Sequence, residues 1–190
     1  MGDAPNGLDI VICGLEEMDC ALDASVTHVI SILDPDHDEP AGMARFADPH
    51  LLRLRFHDVI ERMPMLSPPD AGHISAIVQF GQALQAHESA RLLVHCHMGI
   101  SRSTAAAIIL LADHGGDADA AVERVAAIRP AAWPNLRMIE LADRLLKLDA
   151  RLIRAVRRHH ARALVRRPEL RDVFIAHGRG REVEDLEAIG

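Results

Sequence analysis

One short stretch, residues 92–106, combines residue types that can carry out covalent chemistry on an anion. It reads LLVHCHMGISRSTAA, an apolar run that ends in Cys96 and continues through Gly99, Arg102 and Ser103. The run predicts a buried strand and the residues after Arg102 predict a helix, so the loop between them precedes a helix N-terminus. There, unpaired N–H groups and the helix dipole favour a bound anion, and the same field stabilises a cysteine thiolate.

The other groups of this loop extend the same chemistry. Arg102 offers a planar guanidinium that can hold a phosphate through paired hydrogen bonds, and Gly99 suits a backbone with positive φ or a close approach to the ligand. Ser103 can donate a hydrogen bond to the sulfur of Cys96 and help it leave. Together these groups predict phosphoryl transfer through a phosphocysteine. The predicted phosphate-binding residues are His97, Met98, Gly99, Ile100, Ser101 and Arg102.

Residues 95–103, HCHMGISRS, resemble the H-C-x-x-G-x-x-R-[ST] signature of the cysteine-dependent protein tyrosine phosphatases. The flanking pattern is most similar to the dual-specificity branch and to small bacterial tyrosine-phosphatase-like proteins. The likeness covers residues 8–150. THVISIL resembles that family's second strand, and AAIRPAAWPN resembles its R-x-x-R-P-x-x-x-P-N helix entry, with only the second arginine, Arg129, present.

The resemblance implies a protein phosphatase that needs no cofactor and acts on phosphotyrosine, or with dual specificity. Its substrate would be a phosphorylated protein or a small phosphomonoester. Inositol-lipid phosphatases of the superfamily carry lysines at the positions that His97 and Met98 occupy here, which argues against a polyphosphoinositide substrate.

Cleavage of a phosphomonoester needs a residue that protonates the leaving oxygen and later takes a proton from water. In the resembled family an aspartate on a loop upstream of the cysteine has this role. Asp58, in RFHDVIE, lies 38 residues before Cys96 and matches that position. Asp70 and Glu61 are the alternatives, although Asp70 stands where the next helix needs a cap.

Two further residues are expected to support the loop. His95 is expected to orient it through the ring N–H rather than act as an acid or base. By resemblance, Asn135 would support the loop backbone, and it is equally well placed to cap the helix that follows it.

Two other functions stay open. A rhodanese-like sulfurtransferase also uses a cysteine in a strand-to-helix loop and forms a persulfide, but its loop typically has a shorter spacing to the closing basic residue. A pseudophosphatase would bind phosphopeptides without turnover. Cys96, Arg102 and Asp58 are all present, so nothing in the sequence requires lost activity.

The segments around these residues predict an α/β fold. Because strands precede and interleave with helices, we expect a central, mostly parallel sheet of four to five strands, flanked by helices and followed by a C-terminal helical extension. Asp70 and Asp117 are expected to cap helices. The predicted strands are 8–14, 27–33, 50–56 and 91–96, the third alternating Leu52, Leu54 and Phe56 against Arg53 and Arg55; the predicted helices are 71–90, 101–116, 117–129 and 134–167, the last broken near Asp149.

The C-terminal part differs from the rest in charge. We expect a phosphatase domain over residues 1–150 and a basic helical extension over 151–190. Residues 1–150 form an acidic body with 11 basic and 22 acidic side chains, a net charge of −11. Residues 151–167 predict a basic amphipathic helix that docks on this acidic body rather than on a membrane, and a loosely attached tail is expected after Pro168. The predicted apolar face of the helix over residues 151–167 consists of Leu152, Ile153, Val156, Leu164 and Val165.

Composition excludes several classes of protein. The chain has 190 residues and a net charge of −7, and its acidic body disfavours a nucleic-acid partner. No apolar run is long enough to span a membrane. Three cysteines are too few for a disulfide framework and favour a reducing cytoplasm. The 12 histidines lack the spacing of a zinc hydrolase, so no metal is expected, and the sequence does not indicate an oligomeric state.

Overall fold

The computed structural model describes residues 8–46, 50–84, 89–115, 117–184 and 186. Its four strands are all parallel and lie in the order β1-β4-β2-β3. They are β1 (Asp9–Cys13), β2 (His28–Leu33), β3 (Leu51–Arg55) and β4 (Arg91–His95). Val94 of the interior strand β4 is paired with Ile12 on one side and Ile30 on the other. The predicted parallel sheet is confirmed, and β4 ends immediately before Cys96.

Seven α-helices accompany the sheet in the described part of the chain. They are α1 (Met18–Ala21), α2 (Ala71–Leu84), α3 (Arg102–Gly115), α4 (Ala118–Ile128), α5 (Leu136–Leu145), α6 (Arg151–Arg166) and α7 (Leu170–Ala176), with 3₁₀ turns at Leu15–Glu17, Met43–Arg45 and Gly180–Glu182. None of these helices is both long and apolar enough to cross a membrane. Residues 85–88 and 116, which complete two of the predicted helices, lie outside the described residues.

The predicted helix caps are formed. Asp70 Oδ1 accepts from the N–H of His73 in the first turn of α2, and Asp117 Oδ1 accepts two N–H groups of α4. These contacts satisfy N–H groups that have no partner within the helix.

The sheet is covered on both faces. On one face Ile12, Ile30 and Val94 pack into the main core, which also contains the buried sides of α2 to α6. Residues 102–112 of α3 are all buried, as expected of a helix whose AAAIILLA run is apolar on every side. The other face is covered by α1 and neighbouring loops. There Leu51 of β3 is buried, so this strand is more deeply enclosed than its alternation predicts.

The predicted break between the last long helices is confirmed. Lys147, Asp149 and Ala150 have positive φ, and the Asp143 carboxylate accepts N–H groups at the start of α6. On α6, Val165 is 85% exposed, so its expected place on the apolar face is wrong. The ion pair between Arg158 and Asp119 agrees with docking on the acidic body. The domain boundary at residue 150 stays a prediction.

The described part of the segment after Pro168, residues 169–184 and 186, is packed against the rest of the chain, so the expectation of a loosely attached tail is wrong for it. Glu182 and Val183 are fully buried. The indole of Trp133 is stacked between the rings of His160 and Phe174, with centroid distances of 4.2 and 4.1 Å. These aromatic contacts hold α7 and the turn after it beside the loop that carries Cys96.

Candidate active site

Cys96 lies directly after β4 at the base of a cleft of about 320 Å³. The residue is 2% exposed, and its Sγ lies 3.2 Å from Ser103 Oγ in the first turn of α3. The predicted serine–sulfur contact is therefore present. The cleft is lined by Asp58, Cys96, His97, Met98, Ile100, Ser101, Arg102, Trp133, Phe174 and Arg179.

The backbone of the loop is fixed by its carbonyl groups. The carbonyl oxygens of residues 97–101 all accept hydrogen bonds from residues outside the loop. Because the N–H and C=O of a planar trans peptide point in opposite directions, these anchors direct the N–H groups of residues 98–102 the other way, toward the cleft. The donors are Leu15 N for His97, Arg129 for Met98 and Gly99, Trp133 N for Ile100 and Asn135 N for Ser101, at 2.9 to 3.3 Å.

Gly99 is required by the strand beneath the loop. Its φ is +67°, and a Cβ at this position would lie 2.4 Å from the carbonyl carbon of Cys13. The positive φ agrees with the sequence prediction. The close approach, however, is to the backbone of β1 rather than to the ligand.

Arg102 is 3% exposed, and two acceptors on the protein fix the orientation of its guanidinium. Nη1 donates to Asp34 Oδ1 at 2.7 Å and to the carbonyl of Phe56 at 2.6 Å, whereas Nε makes no hydrogen bond to a described residue. Asp34 was not singled out in the sequence analysis. Its position after β2 was a usable signal, because the carboxyl ends of neighbouring parallel strands meet at one edge.

The structure brings Asp58, rather than the alternatives, to the cleft. Asp58 Oδ1 accepts from Ser101 Oγ at 2.7 Å and from Asn135 Nδ2 at 2.8 Å, and Oδ2 lies 3.3 Å from Arg179 Nη1. Asp70 caps α2, and Glu61 pairs with Arg181.

The charge of Asp58 depends on opposing effects. Burial raises the pKa of its carboxyl, but the guanidinium groups of Arg179 and Arg102 and the hydrogen bonds from Asn135 and Ser101 outweigh burial. The pKa of Asp58 therefore lies below its usual range, and the carboxylate is ionised at neutral pH.

Asn135 has both of the roles that the sequence left open. Its Oδ1 caps α5 by accepting from Met138 N at 3.1 Å, and its backbone N–H donates to the carbonyl of Ser101. Its Nδ2 also holds Asp58, a contact that the sequence did not predict.

His95 is fully buried, and burial lowers the pKa of its ring to about 4. The backbone of Cys96 acts on the ring in the opposite direction, which places the imidazole beside the start of the loop, although no hydrogen bond of good geometry joins a ring nitrogen to a described residue. Its role in supporting the loop stays a prediction.

The sequence reasoning also missed two residues of the C-terminal segment. Arg179 Nη2 donates to Ser101 Oγ at 3.0 Å, and Arg179 makes two hydrogen bonds to the buried carboxylate of Glu182. Glu182 also accepts from Trp133 Nε1 at 2.8 Å and from Leu136 N at 2.9 Å. Neither residue belongs to a local motif, and the apolar run VFIA before them was the one sign that this segment docks.

Comparison with known proteins identifies the fold. The chain matches no protein-family model and no curated protein. Among solved structures it is similar to human DUSP28 (19% identity, TM-score 0.54, 74% of this chain and 93% of that one). It is also similar to the PTP-2 phosphatase of Cydia pomonella (23%, 0.54, 72% and 84%) and to the human tyrosine phosphatase-like serine/threonine/tyrosine-interacting protein (17%, 0.56, 74% and 93%). The fold is therefore that of dual-specificity and small tyrosine phosphatases, as the sequence resemblance predicts.

Proposed function

We propose that this chain is a cysteine-dependent protein phosphatase that hydrolyses phosphomonoesters, phosphotyrosine foremost, through a phosphocysteine on Cys96. The observation that carries the proposal is the loop over residues 97–101, whose carbonyls are all anchored outward while Cys96 Sγ lies at its base. Such a ring of N–H groups complements the charge of a phosphoryl group in the transition state.

In the first step the thiolate of Cys96 attacks phosphorus. A sulfur–phosphorus bond forms and the bond to the ester oxygen breaks, while Arg102 and the loop N–H groups hold the remaining phosphoryl oxygens. Asp58 lies on the cleft wall, where the protonated form of its carboxyl, which becomes populated as the pH falls toward its pKa, can protonate the leaving oxygen.

In the second step water attacks the phosphocysteine. Asp58, now ionised, takes a proton from the water, an oxygen–phosphorus bond forms and the sulfur–phosphorus bond breaks. Ser103 Oγ, at 3.2 Å from Sγ, can donate a hydrogen bond that stabilises the departing thiolate.

The proposal also includes a cellular compartment and a class of substrate. Cys13, Cys20 and Cys96 are free thiols, which suits a reducing cytoplasm. The acidic body suits a protein or small-molecule phosphomonoester rather than a nucleic acid, and both proposed steps use only this chain's own residues and water.

The test is hydrolysis of p-nitrophenyl phosphate in the presence of EDTA, with reduced wild type compared with Cys96→Ser. Cys20→Ser is the matched control, because Cys20 is exposed and does not line the cleft. We expect turnover in wild type and Cys20→Ser and its loss in Cys96→Ser. Phosphopeptide binding by wild type without turnover would indicate a binding module, and thiocyanate formation from thiosulfate and cyanide would indicate a sulfurtransferase.

A further inference from the structure

Arg179 is a second guanidinium in the cleft, and it comes from the C-terminal segment. It is 7% exposed and bridges three partners. Nη1 lies 3.3 Å from Asp58 Oδ2, Nη2 donates to Ser101 Oγ at 3.0 Å, and Nε and Nη2 donate to Glu182 at 2.7 and 2.8 Å. The residue therefore links the C-terminal segment both to the loop and to the proposed acid and base.

The position of Arg179 is fixed from behind. Glu182 is fully buried and receives hydrogen bonds from Trp133 Nε1 and Leu136 N as well as from Arg179. The backbone N–H of Trp133 in turn anchors the carbonyl of Ile100 in the loop. These contacts hold the guanidinium against Asp58, so it is not a mobile surface side chain.

Every polar contact that the structure gives the Asp58 carboxylate is a donor or a cation. Ser101 Oγ and Asn135 Nδ2 donate to Oδ1, and Arg179 faces Oδ2. An ionised carboxylate can accept from all of them, whereas a protonated one would direct its own hydrogen at a donor. Arg102 from α3 is the other charged group that acts on Asp58, the titratable ring of His97 from the loop also interacts with it, and Glu182 lies behind Arg179.

We propose that Arg179 is a positioning residue that keeps Asp58 ionised and thereby restricts efficient turnover at neutral pH to aryl phosphates such as phosphotyrosine. The inference rests on the proposed function and deepens it by naming the residue that sets the choice between aryl and alkyl phosphates. A phenol has a pKa of about 10, so phenolate can leave phosphorus with little protonation. An alkoxide from phosphoserine or phosphothreonine is far more basic and needs the proton that Asp58 does not carry.

The same ionised carboxylate is suited to the second step. It can accept a proton from the water that attacks the phosphocysteine, so that an oxygen–phosphorus bond replaces the sulfur–phosphorus bond. Arg179 thus favours the base role of Asp58 over its acid role. Efficient acid catalysis is regained only as the pH falls toward the pKa of Asp58.

The test compares wild type with Arg179→Gln, which keeps hydrogen-bond donors but removes the charge. The matched control is Arg181→Gln, because Arg181 lies in the same segment and pairs with Glu61 and Glu140 rather than with Asp58. For each protein kcat/KM is measured against pH with p-nitrophenyl phosphate, phenyl phosphate and an alkyl phosphate. Folding is verified by circular dichroism.

Removing a neighbouring cation raises a carboxyl pKa by about one unit or more. At neutral pH we therefore expect the kcat/KM ratio of phenyl to p-nitrophenyl phosphate to rise about tenfold in Arg179→Gln. Arg179→Lys is expected to restore much of the wild-type pH profile, and Arg181→Gln to leave it unchanged. An unshifted profile and ratio in folded Arg179→Gln would overturn the inference.

Wild type provides a second test that does not depend on the folding of a variant. Across a series of aryl phosphates at neutral pH, kcat/KM should fall steeply as the leaving group becomes more basic, and the dependence should flatten at acidic pH. Turnover with a flat dependence at neutral pH overturns this inference alone. No turnover of p-nitrophenyl phosphate overturns the proposed function, and this inference with it.

Discussion

The anchoring of the loop by Arg129 can be tested directly. Arg129 Nε and Nη2 donate to the carbonyls of Gly99 and Met98 at 3.1 and 3.2 Å, and its side chain is 21% exposed. A hydrogen bond to a charged group contributes about 1.5–3 kcal/mol, and partial exposure reduces this to about 1 kcal/mol for each bond. Arg129→Met should therefore destabilise the anchored conformation of the loop by about 2 kcal/mol. If anion binding requires that conformation, the affinity for the anion falls about 30-fold.

The assay is the binding of orthovanadate, followed by the fluorescence of Trp133, the chain's one tryptophan, which lines the cleft. Glu17→Gln is the matched control, because Glu17 forms the outer ion pair with Arg129 at 2.7 Å but does not contact the loop carbonyls. We expect the control to weaken binding by less than about threefold, as for an exposed ion pair. A vanadate affinity in Arg129→Met within that same range would refute the argument that outward anchoring of the carbonyls forms the anion site.

Three further predictions concern stability. Gly99→Ala would place a Cβ 2.4 Å from the backbone of Cys13 at a φ of +67°. We therefore expect the free energy of unfolding in urea to fall by about 2–4 kcal/mol and vanadate binding to be lost. An unchanged unfolding midpoint would contradict this expectation. Asp143→Ala removes the acceptor for the N–H groups of Ala150, Leu152 and Ile153, so the free energy of unfolding should fall by about 1–2 kcal/mol. Asp143→Asn, which keeps an acceptor oxygen, should lose less. Equal Tm values for wild type and Asp143→Ala would contradict the conclusion that Asp143 caps α6. Burial lowers the pKa of His160 well below 6.5, so below about pH 6.5 the unfolded chain binds a proton that the folded chain does not, and stability should fall by up to about 1.4 kcal/mol per pH unit as the pH decreases. In urea titrations His160→Phe should reduce this slope, and an unchanged slope in the folded variant would contradict the prediction.

The fold could be predicted from local patterns because most of its elements carry their own signals. The apolar runs that form β1, β2 and β4 and the caps at Asp70 and Asp117 are all visible in short windows of sequence. The exposure of Val165 on α6 could not be predicted from the local sequence. It depends on where α4 and α5 pack against α6 rather than on the period of the helix. The docking of α7 depends on the stacking of Phe174 on Trp133, which lies far away in the chain.

The residues of the site likewise fall into two groups, those with a local signal in the sequence and those without one. Cys96, Gly99, Arg102 and Ser103 fall within eight residues, so their spacing alone indicates a phosphate-binding loop. The partners that orient them come from elsewhere: Asp34 lies 68 residues from Arg102, and Arg179 lies 78 residues from Ser101. A single sequence holds no local signal for such contacts, which arise only when the strands and the C-terminal segment are packed.

The most direct test of the central claim is a search for the phosphocysteine itself. Asp58→Asn lacks the proposed base, so the second step should slow and the intermediate should accumulate during turnover of p-nitrophenyl phosphate, whose leaving group needs no acid. After rapid quenching and digestion, mass spectrometry should find one phosphoryl group on the peptide that contains Cys96 and none in Cys96→Ser. A phosphoryl group on another residue, or none on Cys96 while the enzyme turns over, would contradict the proposed chemistry.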